Sequence, residues 1–130
     1  MYVTQLAVKQ MLAQKTGGSI VTITAALVRN PIRGITAAVP MITKGGLETI
    51  TQHLAMEYAP DGIRVNAVAP GVVSTPLHRN TPQDVMESLS PMGRPSTVQD
   101  IADAVLYLTD AATVTGHILY VDGGAHFGRW

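Results

Sequence analysis

Few side chains in this 130-residue chain are equipped for chemistry, and their spacing narrows the choice further. There is no cysteine, which removes disulfides and thiolate metal sites. The four histidines, His53, His78, His117 and His126, show no metal-ligand spacing with one another or with a carboxylate, so no metal site is expected. Tyr58, Tyr107 and Tyr120 fall at apolar-periodic positions and read as core or interface residues. No tyrosine lies between Tyr2 and Tyr58, and no serine between Ser19 and Ser74. What remains is the hydroxyl of Thr24, the ammonium of Lys44, and the loop containing Pro70, Gly71, Val73 and Thr75. Taken singly these are ordinary features: a lysine on a helix face, and a turn of the kind proline and glycine supply anyway. Asn66, inside an apolar run, reads as a structural hydrogen-bonding residue, and Asp122-Gly123-Gly124 as a turn that seats the C-terminus.

The elements that would position these residues follow from periodicity. Residues 1–15 read as a helix, with Val3, Ala7 and Met11 repeating every four positions beside Leu6, stopped by Gly17-Gly18. Residues 19–24 are short, β-branched and nearly apolar throughout, which suits a strand covered on both faces of a parallel sheet. Residues 26–40 are irregular, broken by Pro31, Gly34 and Pro40. A long helix is predicted from about 41 to 59, with Leu47, Ile50, Leu54 and Tyr58 on one face. A second strand covers 63–69 and closes at Pro70-Gly71. Thr81 and Pro82 read as the cap and first turn of a short helix over 81–89. Ser96-Thr97-Val98-Gln99 has the capping-box pattern ahead of a helix with Val98, Ile101, Ala102, Val105 and Leu108 on one side. Residues 118–121 form a last strand. Strands alternating with helices predict a single α/β domain, a parallel sheet with right-handed crossovers.

Composition excludes several functions. Apolar residues make up 46% and charged residues 14%, so the chain can bury a core. The formal net charge is zero, leaving no basic field to attract nucleic acid or an anionic membrane surface. No apolar run reaches the roughly 18 residues of a membrane span, and the first residues lack the pattern of a signal peptide. A cytoplasmic location is the expectation.

Several stretches, in order, resemble the short-chain dehydrogenase/reductase family. Gly17-Gly18-Ser19-Ile20-Val21 is similar to the strand leading to its catalytic serine, and Thr43-Lys44-Gly45-Gly46-Leu47 to the segment holding its lysine. Gly62-Ile63-Arg64-Val65-Asn66-Ala67-Val68-Ala69-Pro70-Gly71, Thr75-Pro76, Met92-Gly93-Arg94-Pro95, Val114-Thr115-Gly116 and Val121-Asp122-Gly123-Gly124 follow at the family's spacing. The resemblance spans the chain. It implies the C-terminal half of a Rossmann-type doubly wound sheet: about three parallel strands with flanking helices, the first four strands absent. It also implies NAD or NADP as cofactor. The glycine-rich turn that holds the cofactor's pyrophosphate at a helix N-terminus has no counterpart here.

The resemblance assigns roles position by position. The family uses a tyrosine as general acid/base, a lysine four residues later that lowers the tyrosine pKa and holds the nicotinamide ribose, and a serine that polarises the carbonyl. Lys44 matches the lysine, but Pro40 stands where the tyrosine belongs. The serine position falls on Ala25, or on Thr24 if the strand shifts by one, so Thr24 is the candidate substitute and Lys44 a vestige. Lys44, Pro70, Gly71, Val73 and Thr75 match the cofactor-contacting positions. The expectation is therefore a chain of an oxidoreductase family that is inactive by itself and binds no nucleotide alone. The alternatives are a non-catalytic oligomerisation or binding module, or a fragment of a longer dehydrogenase. Helices 1–15 and 41–59 resemble those of the family's subunit interface. With the apolar edge of the 19–24 strand they predict a homo-oligomer. The small-molecule substrate is not legible.

Overall fold

The computed structural model describes residues 2–128. Helix α1 (Tyr2–Gln14) leads into strand β1 (Gly18–Ile23), helix α2 (Ala38–Tyr58) and strand β2 (Ile63–Pro70). A short helix α3 (Gln83–Ser88), helix α4 (Val98–Asp110) and strand β3 (Ile118–Val121) complete the order. The three strands form one parallel sheet in the order β1-β2-β3. The fold class expected from the sequence is therefore present.

The sheet is built around β2. Ile63, Val65, Ala67, Val68 and Ala69 are buried, because this strand has a neighbour on each edge and a helix over each face. Side chains alternate across a strand, and partners in a parallel pair share a face. Ile20 pairs with Val65, and Thr22 with Ala67, on the face under α1 and α2, where Val8, Ala55, Ile63 and Val65 form the core cluster. The opposite face carries Arg64 and Asn66. There the Arg64 guanidinium donates to the Leu108 carbonyl at the end of α4 (2.7 Å), satisfying a helix terminus that has no partner of its own. Asn66 is fully buried; it donates to the Val114 carbonyl (2.8 Å) and accepts from the His117 amide (3.0 Å), the structural role its position predicts.

The structure departs from expectation in several places. Both crossovers step the same way across the sheet, but α2 and α4 lie on opposite faces, so the two cannot both be right-handed. Helix α1 buries Val8 and packs Met11, whereas Val3 and Leu6 of the expected stripe are exposed; the face is turned by one residue toward the short β1. Helix α2 starts at Ala38, three residues early, because proline is tolerated in a first helical turn, where its missing N–H would be unpaired anyway. Thr81 does not cap α3: Pro82 is extended at the cap position. The box on α4 is shifted by one, with Thr97 capping and Asp100 reaching back to the Thr97 amide, while the Ser96 hydroxyl donates to the Val121 carbonyl. Of the tyrosines, Tyr58 packs on the core and Tyr120 is half-buried, but Tyr107 is exposed. The Leu47–Tyr58 face of α2 does point inward, centred on the small residues Thr51 and Ala55 that let the helix approach the sheet. Thr51 and Thr22 hydroxyls meet across that contact at 3.0 Å.

Candidate functional site

The C-terminal ends of β1 and β2 open on a cavity of about 380 Å³. Ligands of open α/β sheets bind at this end of the strands. The floor is Ala25, just past β1, with Pro70 and Gly71 at the end of β2. The walls come from the irregular segment 26–37, from Met41 at the start of α2, and from Leu77 and His78 in the turn after β2. Ala125 closes one side, held there because the Asn30 amide donates to its carbonyl (3.0 Å).

Gly71 is required by packing. A Cβ there would sit 2.7 Å from the Cβ and 2.8 Å from the Cα of Asp122, too close for any side chain. Its amide also bonds the Val121 carbonyl (3.0 Å), binding the end of β2 to β3. Asp122 is buried, and its carboxylate accepts the Gly124 amide (2.9 Å), the His126 amide (2.7 Å) and His126 Nδ1 (2.9 Å). The His126 ring stacks on Tyr120 with centroids 4.0 Å apart. Burial pushes the Tyr120 phenol pKa up, with the nearby Glu48 carboxylate adding to it. This corner seats the C-terminal segment, as the Asp-Gly-Gly turn predicts. Its pairing of His126 with a carboxylate four residues earlier was not recognised in the sequence, although that spacing was visible. Arg129 and Trp130 lie outside the described residues; Phe127, shortly before them, is exposed.

Thr24 and Lys44 both lie at the end of β1 but do not line the cavity. Thr24 is buried, and its amide (2.8 Å) and hydroxyl (3.3 Å) both donate to the Val68 carbonyl. The hydroxyl is thus committed to β2, and it is the methyl of Ala25 that borders the cavity. Lys44 is half-buried, with Nζ donating to the Ile23 carbonyl at 2.8 Å. That carbonyl ends the β1 edge, so the ammonium latches α2 to the strand. Pro40 sits one helical turn before Lys44 on the same helix, as the four-residue spacing requires.

Val73 and Thr75 lie beyond Gly71 on a loop pinned to the segment before α4. The Ser96 amide donates to the Val72 carbonyl (3.0 Å) and the Ser74 amide to the Ser96 carbonyl (2.9 Å). This pattern leaves the N–H and C=O of Val73 directed to the other side of the loop. Thr75 precedes the turn that carries His78, accepting the His78 amide on its carbonyl (3.0 Å). The structure therefore gathers Ala25, Pro70 and Gly71 at the cavity, holds Thr24 and Lys44 behind it, and sets Val73 and Thr75 on the adjoining loop. His78, Met41 and Leu77 were missed as site residues because no local pattern marks a loop side chain that converges only in the fold. Among the described residues, no cluster of three or more histidine or acidic side chains is placed to hold a metal. No helix there is long and apolar enough to cross a membrane.

The fit of a nicotinamide cofactor can be tested group by group. The Val73 backbone pair suits a carboxamide, which needs one donor and one acceptor. Among the described residues, no glycine-rich strand-to-helix turn suits a pyrophosphate.

Comparison with known proteins bears on the family and the fold. A family profile described as Enoyl-(Acyl carrier protein) reductase matches residues 1–126. The 3-oxoacyl-[acyl-carrier-protein] reductase of Mus musculus is 38% identical over 118 residues, 91% of this chain and 48% of that protein. A short-chain type dehydrogenase/reductase from Mycobacterium marinum superposes with a TM-score of 0.87 at 28% identity, over 94% of this chain and 50% of the other. ElxO with NADP bound superposes with a TM-score of 0.81 at 30% identity, over 93% of this chain and 51% of that one. The chain thus spans about half the length of the relatives it matches. Matched across nearly its whole length in sequence and in fold, the chain belongs to the short-chain dehydrogenase/reductase family of oxidoreductases.

Proposed function

We propose that this chain carries the substrate side of a nicotinamide-dependent oxidoreductase and, by itself, transfers neither hydride nor proton. The observation that carries the reading is Pro40, one helical turn ahead of Lys44, where the family's proton donor would stand. A proline has no proton to give, and general acid catalysis is worth about 10²–10⁴-fold in rate. The Thr24 hydroxyl, turned onto the Val68 carbonyl, is a poor substitute for the serine, and Ala25 offers only a methyl. Val73 and Lys44 are the residues that would meet the nicotinamide end of NAD or NADP. The phosphates would have no cradle in this chain, so no step through the cofactor is assigned to it.

Fluorescence titration of the purified chain with NADH and NADPH tests this. No saturable binding is expected for the chain alone. Saturable binding in the micromolar range would contradict the reading.

Apolar exposure favours a second component, assembly of like chains. Tyr2, Val3 and Leu6 of α1 and Val39, Ile42 and Met56 of α2 stand exposed, the last three on one side of their helix. The outer edge of β1 has no neighbouring strand among the described residues. Together they support a homo-oligomer formed through α1, α2 and the β1 edge. Sedimentation at micromolar concentration is expected to show an oligomer, and a stable monomer would contradict this part.

A further inference from the structure

We infer that the cavity at the ends of β1 and β2 takes an uncharged ligand with an apolar body and one hydrogen-bonding group, which the His78 imidazole orients. The inference rests on the substrate-side reading above and names the substrate class. Of the fifteen residues lining the cavity, none carries a formal charge and two are polar, Asn30 and His78. Asn30 is anchored by its bond to the Ala125 carbonyl, whereas the His78 side chain makes no hydrogen bond among the described residues, so the imidazole is the lining group most open to a ligand. The His78 position is fixed: its amide bonds the Thr75 carbonyl, and Pro76 restricts the turn that carries it.

Volume and lining chemistry select the ligand. A cavity of about 380 Å³ lies in the range of small-molecule sites, which are mostly apolar with a few converging polar groups. A carboxylate or phosphate would lose its water here with no cation to replace it. A polyhydroxylated sugar would leave most of its hydroxyls unpaired, and each unpaired buried group is unfavourable. An alkyl or aryl ketone or alcohol leaves none beyond the oxygen that His78 can reach. The rim is of the same character: Leu77 is 86% exposed and Ile35 42% exposed, so an apolar tail longer than the cavity would still find apolar surface at its mouth.

The test uses the purified 130-residue chain without nucleotide, labelled at alanine, leucine and methionine methyls and at histidine. It is titrated in turn with 2-octanone, glucose and gluconate while methyl and imidazole NMR signals are followed. Expected is a saturable shift of the Ala25, Met41 and Leu77 methyls and of the His78 ring with 2-octanone, and none with glucose or gluconate. His78→Ala should keep the methyl response but weaken binding roughly five- to tenfold, the loss of one hydrogen bond, and His78→Gln should recover part of it. Ala25→Leu should abolish the response by filling the floor; should it fail to fold, Leu77→Glu at the exposed rim should still weaken binding. Equal responses to gluconate and 2-octanone would overturn the inference, as would ketone shifts that do not saturate. Unchanged affinity in His78→Ala would overturn the orienting role. Nucleotide binding is absent from this assay, so saturable NADPH binding would defeat the earlier reading and leave this one standing.

Discussion

Strands β1 and β2 are adjacent, parallel and similarly apolar, yet they live in different environments. Every residue of β2 from Ile63 to Ala69 except Arg64 is buried, and even Arg64 spends its guanidinium on the end of α4. No residue of β1 is fully buried, and Ile23 at its end is 40% exposed. The difference is topological: among the described residues β2 has a strand on each side and β1 on one. Sequence composition therefore sets how apolar a strand is, while position in the sheet sets how much stability that apolarity delivers.

The contrast makes an ordered set of predictions. Ile63→Ala, at 1% exposure, should destabilise the fold by about 2–5 kcal/mol in denaturant titration, the usual range for opening a cavity in a packed core. Asn66→Ala should follow at about 2–3 kcal/mol, because it strands the buried Val114 carbonyl and His117 amide without partners. Ile23→Ala, the equivalent truncation on the edge strand, should cost about 1 kcal/mol or less in the monomeric fold. A cost for Ile23→Ala that rises with protein concentration is what assembly through the β1 edge predicts, whereas a cost equal to the Ile63 value at every concentration would erase the distinction between the strands.

The smallest effects lie farthest from the sheet centre. Thr97→Ala should cost about 1 kcal/mol by removing the cap of α4. The amide of Thr97, with its hydroxyl adding to it and Arg94 contributing less, holds the Asp100 carboxyl below the usual carboxylate range. A carboxyl whose pKa is depressed by folding stabilises the protein in its ionised form. The contribution is thus fully present above the ordinary carboxylate pKa and fades as pH falls through the lowered folded value. Thermal melts at decreasing pH should show this component in the parent protein and lose it in Asp100→Asn.

Periodicity and spacing carried most of the fold. The apolar runs at 19–24, 63–69 and 118–121 are strands, and the long helices lie where predicted because their apolar residues recur at helical intervals and glycines stop them. Side chains that satisfy local geometry were less legible. Thr97 and Ser96 are both acceptable caps, and only the fold decides that Ser96 turns to the Val121 carbonyl instead. That both crossovers are right-handed was misread because the strong right-handed preference contains no information about which face each helix must cover. Of the candidate site, Pro70, Gly71 and the Pro40–Lys44 spacing were visible as motif positions. His78 and Met41 were not, since the cavity joins segments separated by dozens of residues. Lys44 was identified without its partner, because the Ile23 carbonyl it binds becomes a neighbour only when α2 docks on β1.

Steady-state turnover of the purified 130-residue chain tests the central claim most directly. With NADPH and a medium-chain ketone, absorbance at the reduced-nicotinamide band should decline no faster than in buffer, for the parent chain and for Pro40→Tyr alike, since restoring the phenol does not restore a place for the phosphates. Ketone-dependent NADPH oxidation by the unassisted parent chain would contradict the account.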